Sequence, residues 1–150
     1  QGRALSQLRR GAQAMRDAVE VLRAQGAVIV DPADIPSVVD PAADNNFLTW
    51  STCGAETRDK DAGCSVVFKY GMKRDFNAWL ATLGAGAPVK SLGELRAWNT
   101  AHASANAIRY GQSLLDSSEE MDLARDRGRY EADRAKDLRL SAAHGIDEAM

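Results

Sequence analysis

Apolar residues recur at steps of three and four from the beginning of the chain: Leu5, Leu8, Ala12, Met15, Val19 and Leu22. That spacing puts them on one stripe of an α-helix, because a turn takes 3.6 residues. Arg9, Arg10, Arg16, Asp17 and Arg23 fall off the stripe. Gly26 follows the last periodic position and predicts a helix stop. The period then changes. Ala27-Val28-Ile29-Val30 is a short, mostly β-branched run closed by Asp31-Pro32, which predicts a buried strand. Residues 4–31 thus read as a helix–strand unit, half of an α/β arrangement. The strand has no evident partner in the chain and cannot satisfy its own backbone groups, so it needs a partner sheet.

Residues 32–63 show no sustained period. They carry Pro32, Pro36, Pro41, the run Asp44 to Asn46, and two cysteines. An irregular stretch of that length inside a compact domain is either functional or partly helical. From residue 65 to 150 the helical period returns. Phe68, Met72, Phe76, Trp79, Leu80 and Leu83 share one predicted face, and Gly84-Ala85-Gly86-Ala87-Pro88 ends that helix. Ser91-Leu92-Gly93-Glu94 has the capping-box pattern, and Leu92, Leu95, Trp98 and His102 continue the stripe. Ile108, Gln112 and Leu115 mark a further helical stretch, with Gly111 as a kink or break. Residues 119–139 are dense in charge. Asp126 with Arg129, Arg127 with Glu131 and Asp133 with Lys136 lie three or four apart with opposite signs, about 0.2–0.5 kcal/mol for each exposed pair. The pattern predicts a solvated helix with Met121, Ala124, Gly128, Ala135 and Leu138 on a narrow face. The expected fold is a predominantly α-helical fragment of an α/β family. It has one buried strand at about Ala27–Val30, and residues 1–150 form a single partial domain.

Composition narrows the function classes. A net charge of −2 supplies no basic field for nucleic acid or an anionic membrane. No apolar run approaches the ~20 residues that span a bilayer, and no targeting segment is visible at the start. Cys53 and Cys64 flank one polar loop. A disulfide there would restrict the unfolded chain by about 3 kcal/mol, and two reduced thiols of a cytosolic protein are the alternative. A cytoplasmic location is the expectation, and secretion if the two cysteines pair. Zinc needs two ligands beyond the thiols, and the only histidines, His102 and His144, are distant in sequence.

Single residues carry little chemistry of their own. His102 falls on an apolar side next to Trp98, and His144 precedes Gly145 at a helix break. Lys69, Lys73, Arg74 and Asp75 read as a solvated face, with a buried pairing of Asp75 to Lys73 or Arg74 as the alternative. Asn77 and Asn99 suit the capping of a loop or a neighbouring backbone. Trp79 and Trp98 read as core residues, and Trp50 is the freest of the three tryptophans. No Ser-His-Asp or Cys-His signature and no phosphate loop is present.

Five stretches, in order, resemble the amidase-signature family. They are residues 26–36, the run Lys73-Arg74-Asp75-Phe76-Asn77-Ala78-Trp79-Leu80-Ala81, residues 86–103, the run Tyr110-Gly111-Gln112-Ser113-Leu114-Leu115, and residues 139–147. Together they span nearly the whole chain, and bacterial amidases of the peptide-amidase type are the nearest subgroup. The stretch from Trp50 to Cys64 departs from the family by its length. The resemblance implies amide hydrolysis by a Ser–Ser–Lys triad with backbone amides stabilising the oxyanion. The Gly/Ser-rich loop of that triad is not in this sequence, and none of Lys60, Lys69, Lys73, Lys90 or Lys136 matches the catalytic lysine. No catalytic, cofactor-binding or metal-ligating residue is therefore assigned, and no cofactor is implied. Both ends read as cuts in a longer polypeptide. The expected role is scaffold and substrate-pocket loops of an amidase, with Trp50, Tyr110 and Gln112 as pocket candidates. The expected partners are the remainder of the parent chain, a small amide substrate and a second copy in a homo-oligomer. The alternative is a non-catalytic helical interaction or regulatory module on an amidase-derived scaffold.

Overall fold

The computed structural model describes residues 2–55 and 61–150. Helices dominate them. The contacts separate Gln1–Ala33 from Asp34–Met150 into two compact units.

In the first unit, helix α1 runs Gly2–Ala24. Gly26 ends it with φ +92°, a left-handed conformation that costs glycine little. The apolar stripe is real but uncovered: Leu8 is 69% and Met15 67% exposed, and Val21 and Leu22 are exposed as well. Ala27–Val30 corrects the sequence reading in one respect. The segment is neither paired nor buried, with Val28 91% and Val30 73% exposed. A strand forms only against another, and the described residues of this unit offer it no neighbour.

The second unit begins with the region expected to be irregular. Part of it is helical: α2 spans Pro36–Val39, and short 3-10 turns cover Ala43–Asn45 and Asp61–Gly63. Proline suits the first turn of α2, where no backbone donor is needed. Residues 56–60 of this region lie outside the described residues. Two short strands, β1 (Ser51–Thr52) and β2 (Cys64–Ser65), pair in parallel with Ser51 opposite Cys64 and Thr52 opposite Ser65. Helix α3 follows at Val67–Thr82, α4 at Leu92–Ala101, α5 at Ser113–Glu119 and α6 at Arg127–Leu138. A wider-turned stretch, Arg139–Ile146, kinks at His144 and Gly145 and leads into α7 (Asp147–Ala149). Among these, α3 packs on α4, α5 and α6, and α6 packs on β2.

Three local expectations change in this unit. The inward face of α3 is only partly the apolar stripe: Leu80 is buried and Met72 and Phe76 are half-buried, but Phe68, Trp79 and Leu83 are exposed, and Lys69 and Tyr70 are buried instead. The turn before β2 brings Asp61, and the residue after α5 brings Glu120, to that side of α3, so a lysine is satisfied there. Ile108 lies in a turn rather than a helix, and Gly111, at φ +76°, precedes α5. Helix α6 is not solvated all round, because Asp133 is buried. Its ion pairs also differ. Arg127 meets Glu131 at 3.3 Å, but Arg129 takes Asp133, Asp126 takes Arg125, and Lys136 reaches Asp44.

The core is small. Cys53, Cys64, Val66, Tyr70 and Met121 form one buried cluster, with Leu123 and Tyr130 packed against it. Tyr70 stacks on Tyr130 at 4.5 Å and donates to the Leu123 carbonyl at 2.7 Å. Elsewhere Leu92 and Leu140 are fully buried.

Candidate functional site

The best-built site of the chain lies where the two strands meet the start of α3. Cys53, just after β1, is disulfide-bonded to Cys64, the first residue of β2, with their Cα atoms 5.1 Å apart. The Cys53 amide donates to the Ser65 carbonyl at 2.8 Å, continuing the strand pairing. The Asp61 carbonyl lies 3.8 Å from both sulfurs.

From this corner α3 sends Lys69 inward, and its side chain is 0% exposed. A buried ammonium without partners would be untenable. Lys69 Nζ donates to both Asp61 carboxylate oxygens at 3.0 Å and to Glu120 Oε2 at 2.8 Å. Burial pulls its pKa down, but the hydrogen bonds to Glu120 and Asp61 outweigh it and hold the pKa above that of an ordinary lysine. Lys69 is therefore a fixed cation and cannot serve as a neutral base or nucleophile at physiological pH.

Helix α6 completes the arrangement with two carboxylates one turn apart. Asp133 accepts from the Val66 amide at 3.0 Å, at the N-cap position of α3, where valine has no side-chain acceptor of its own. Arg129 donates to both Asp133 oxygens and to the carbonyls of Asp61 and Cys64, all at 2.8 Å. Asp137 accepts from the Ser65 hydroxyl at 2.8 Å and from Trp50 Nε1 at 2.6 Å. A cavity of about 310 Å³ borders this centre, with Asp61, Glu120, Arg125, Asp126 and Arg129 as its charged lining.

The three pocket candidates divide. Trp50 is held by structure: its indole donates to Asp137, and the Lys136 ammonium sits 3.9 Å over its ring. Tyr110 and Gln112 line one open cavity of about 440 Å³ together with Asn99, Ile108 and Leu114. Gln112 accepts from Asn99 Nδ2 and donates to Thr100 Oγ1, both at 3.2 Å. Tyr110 is 90% exposed. His102 is exposed, stacks on Trp98 at 4.0 Å and contacts the Trp98 carbonyl through Nδ1. His144 meets Glu148 at 2.8 Å and Asp40 at 3.4 Å, and these carboxylates, Glu148 first, raise its pKa.

Sequence reasoning missed Lys69, Asp61, Glu120, Arg129 and Asp133. The signal available was weak. Lys69 and Lys73 are one turn apart and flank Tyr70, so they share a side with an aromatic residue. The remaining two charges of that cluster do face solvent, where Arg74 pairs with Asp75 at 2.7 Å. No family model, curated protein or solved structure matches the chain.

Proposed function

We propose that this chain is a part of an amide hydrolase of the amidase-signature type, in which it supplies scaffold and substrate-pocket loops and not the catalytic triad. The observation that carries the reading concerns the polar residues of the motifs behind the resemblance. They tie one motif segment to the next. Asn77 Oδ1, in the motif of α3, accepts from the Leu92 amide at 2.8 Å in the first turn of α4. Asn99, in the motif of α4, donates to Gln112 in the motif that opens α5. Lys73 in turn donates to the carbonyls of Glu119 and Met121 at 2.9 and 2.8 Å, at the other end of α5. Such side chains, reaching from helix to helix, give a physical reason for these residue types at this spacing.

The uncovered apolar surface is the second support. Leu8, Met15 and Leu22 in one unit, and Phe68, Trp79 and Trp98 in the other, are exposed. Exposed apolar residues that share one helix stripe, as Leu8, Met15 and Leu22 do, suit a surface that another body covers. In this reading the remaining parent polypeptide covers them, and Val28 to Val30 joins its sheet. The cavity of Tyr110 and Gln112 then borders the path of a small amide substrate.

The test is hydrolysis of a panel of small peptide amides by the parent polypeptide with its upstream sequence restored. Amide cleavage that stops on replacement of an upstream serine supports the reading. A parent chain with no nucleophilic serine would sink it. The 150 residues alone should bind an apolar dye or self-associate. A monomer that melts cooperatively without binding dye would favour a stand-alone helical module.

A further inference from the structure

We propose that reduction of the Cys53–Cys64 disulfide turns this corner into a site for a thiophilic divalent cation such as Zn²⁺, held by the two cysteine sulfurs and the Asp61 carboxylate. Two thiols fall short of a zinc site by sequence, and the fold supplies the third ligand from the 3-10 turn before β2. One donor atom from each of Cys53, Asp61 and Cys64 lies within 4.8 Å of the others. Around a tetrahedral zinc, with Zn–S near 2.3 Å and Zn–O near 2.0–2.2 Å, ligand atoms sit roughly 3.3–3.8 Å apart. Once the sulfurs separate, the three donors close on such an ion by side-chain rotation. Of the three ligands, Asp61 lines the cavity of about 310 Å³, so a water for the fourth position would enter from the carboxylate side.

The ligands are held by bonds that do not depend on the disulfide. The Cys53 amide is paired with the Ser65 carbonyl, and Arg129 grips the carbonyls of Asp61 and Cys64. Opening the disulfide therefore leaves the three backbones in place. Charge gives the site its preference for a dication. Once the metal has displaced their protons, the two thiolates with Asp61, Glu120 and Asp133 outnumber the cations Lys69 and Arg129, and the charge of a divalent ion offsets that excess. Asp61 presents two oxygens, so one can turn to the metal while Lys69 keeps the other and Glu120. The step balances with a dithiol as reductant. Its two sulfurs join in a disulfide, two electrons break the Cys53–Cys64 bond, and two protons pass to the cysteine sulfurs. The cation then displaces both protons to solvent.

The experiment reduces the full chain on an immobilised dithiol without oxygen, removes the resin, and titrates with Co²⁺ and then Zn²⁺. The reduced chain should bind one Co²⁺ with thiolate-to-cobalt charge transfer and tetrahedral visible bands, which Zn²⁺ bleaches. The oxidised chain should give neither band. X-ray absorption of the zinc form should show two sulfur and two oxygen or nitrogen neighbours. Asp61→Asn should keep the charge-transfer band and weaken Co²⁺ binding ten-fold or more, and Asp61→Glu should restore most of it. If Asp61→Asn fails to fold, the metal-induced infrared difference spectrum of the unsubstituted chain decides. A shifted carboxylate stretch supports the site, and none overturns it. The proposal is also overturned by a reduced chain without charge transfer, by a four-sulfur shell that joins two chains, by an affinity indifferent to Asp61→Asn, or by helix loss on reduction that metal does not reverse.

Discussion

Helices α1 and α3 invert what their sequences suggest. Helix α1 has the more regular apolar stripe and leaves Leu8, Met15 and Leu22 exposed. Helix α3 carries a cluster of charges, and one of them, Lys69, is among the most buried side chains of the chain. A stripe shows which face can be covered, and only a neighbour covers it. Around α3 the neighbours are present: α5 delivers Glu120 just past its end, α6 delivers Arg129 and Asp133, and the turn before β2 delivers Asp61. The cation is then cheaper inside, among carboxylates and carbonyls, than its type suggests.

The largest loss of stability is expected for Lys69→Met. It leaves Asp61 and Glu120 facing each other without their shared cation, and removing one member of a buried ionic group costs about 3–5 kcal/mol. A urea midpoint that does not fall would show the centre to be dispensable. Gly145→Ala probes the same unit at the backbone. An added Cβ would lie 2.5 Å from the Leu140 carbonyl oxygen, so a loss of about 1–3 kcal/mol is expected in the same measurement. An unchanged midpoint would mean the kink yields freely.

A smaller effect concerns pH. The folded pKa of His144 lies above its unfolded value of about 6.5, through Glu148 and then Asp40. Its contribution to stability is complete below that unfolded value and is lost as pH rises through the folded pKa. The Tm difference between the natural chain and His144→Gln should therefore shrink from pH 5.5 to about 8.5. A constant difference would refute the linkage. The least effect on stability belongs to α1. Met15→Lys with Leu22→Lys should move Tm little, since exposed substitutions stay within about 0.5 kcal/mol, yet should reduce dye binding. A large fall in Tm would mean that the stripe is already covered, and the contrast with α3 would dissolve.

Local signals were legible wherever the physics is local. The capping box at Ser91 forms: Ser91 Oγ accepts from the Glu94 amide at 3.1 Å. The return bond slips by one residue, and Glu94 reaches the Lys90 amide at 2.7 Å instead. Gly26 and Gly111 adopt the left-handed backbone that their positions suggested for breaks. Asn77 and Asn99 bond across segments, one to a backbone amide and one to a side chain. The ionic centre was not legible, because Asp61, Lys69, Glu120 and Arg129 meet from four separate segments, and each by itself resembles a solvated charge. Trp50 shows the same limit. Its place under Lys136 and beside Asp137 depends on a helix some 85 residues further on.

Helical character, the breaks at glycine and the cap at Ser91 follow from local sequence, since propensity, backbone freedom and capping act over a few residues. Which faces are covered, the meeting of Cys53 and Cys64 beside Asp61, and the inward direction of Lys69 arise from long-range packing. Those outcomes depend on which distant groups arrive to satisfy a buried charge, and no local spacing encodes that arrival.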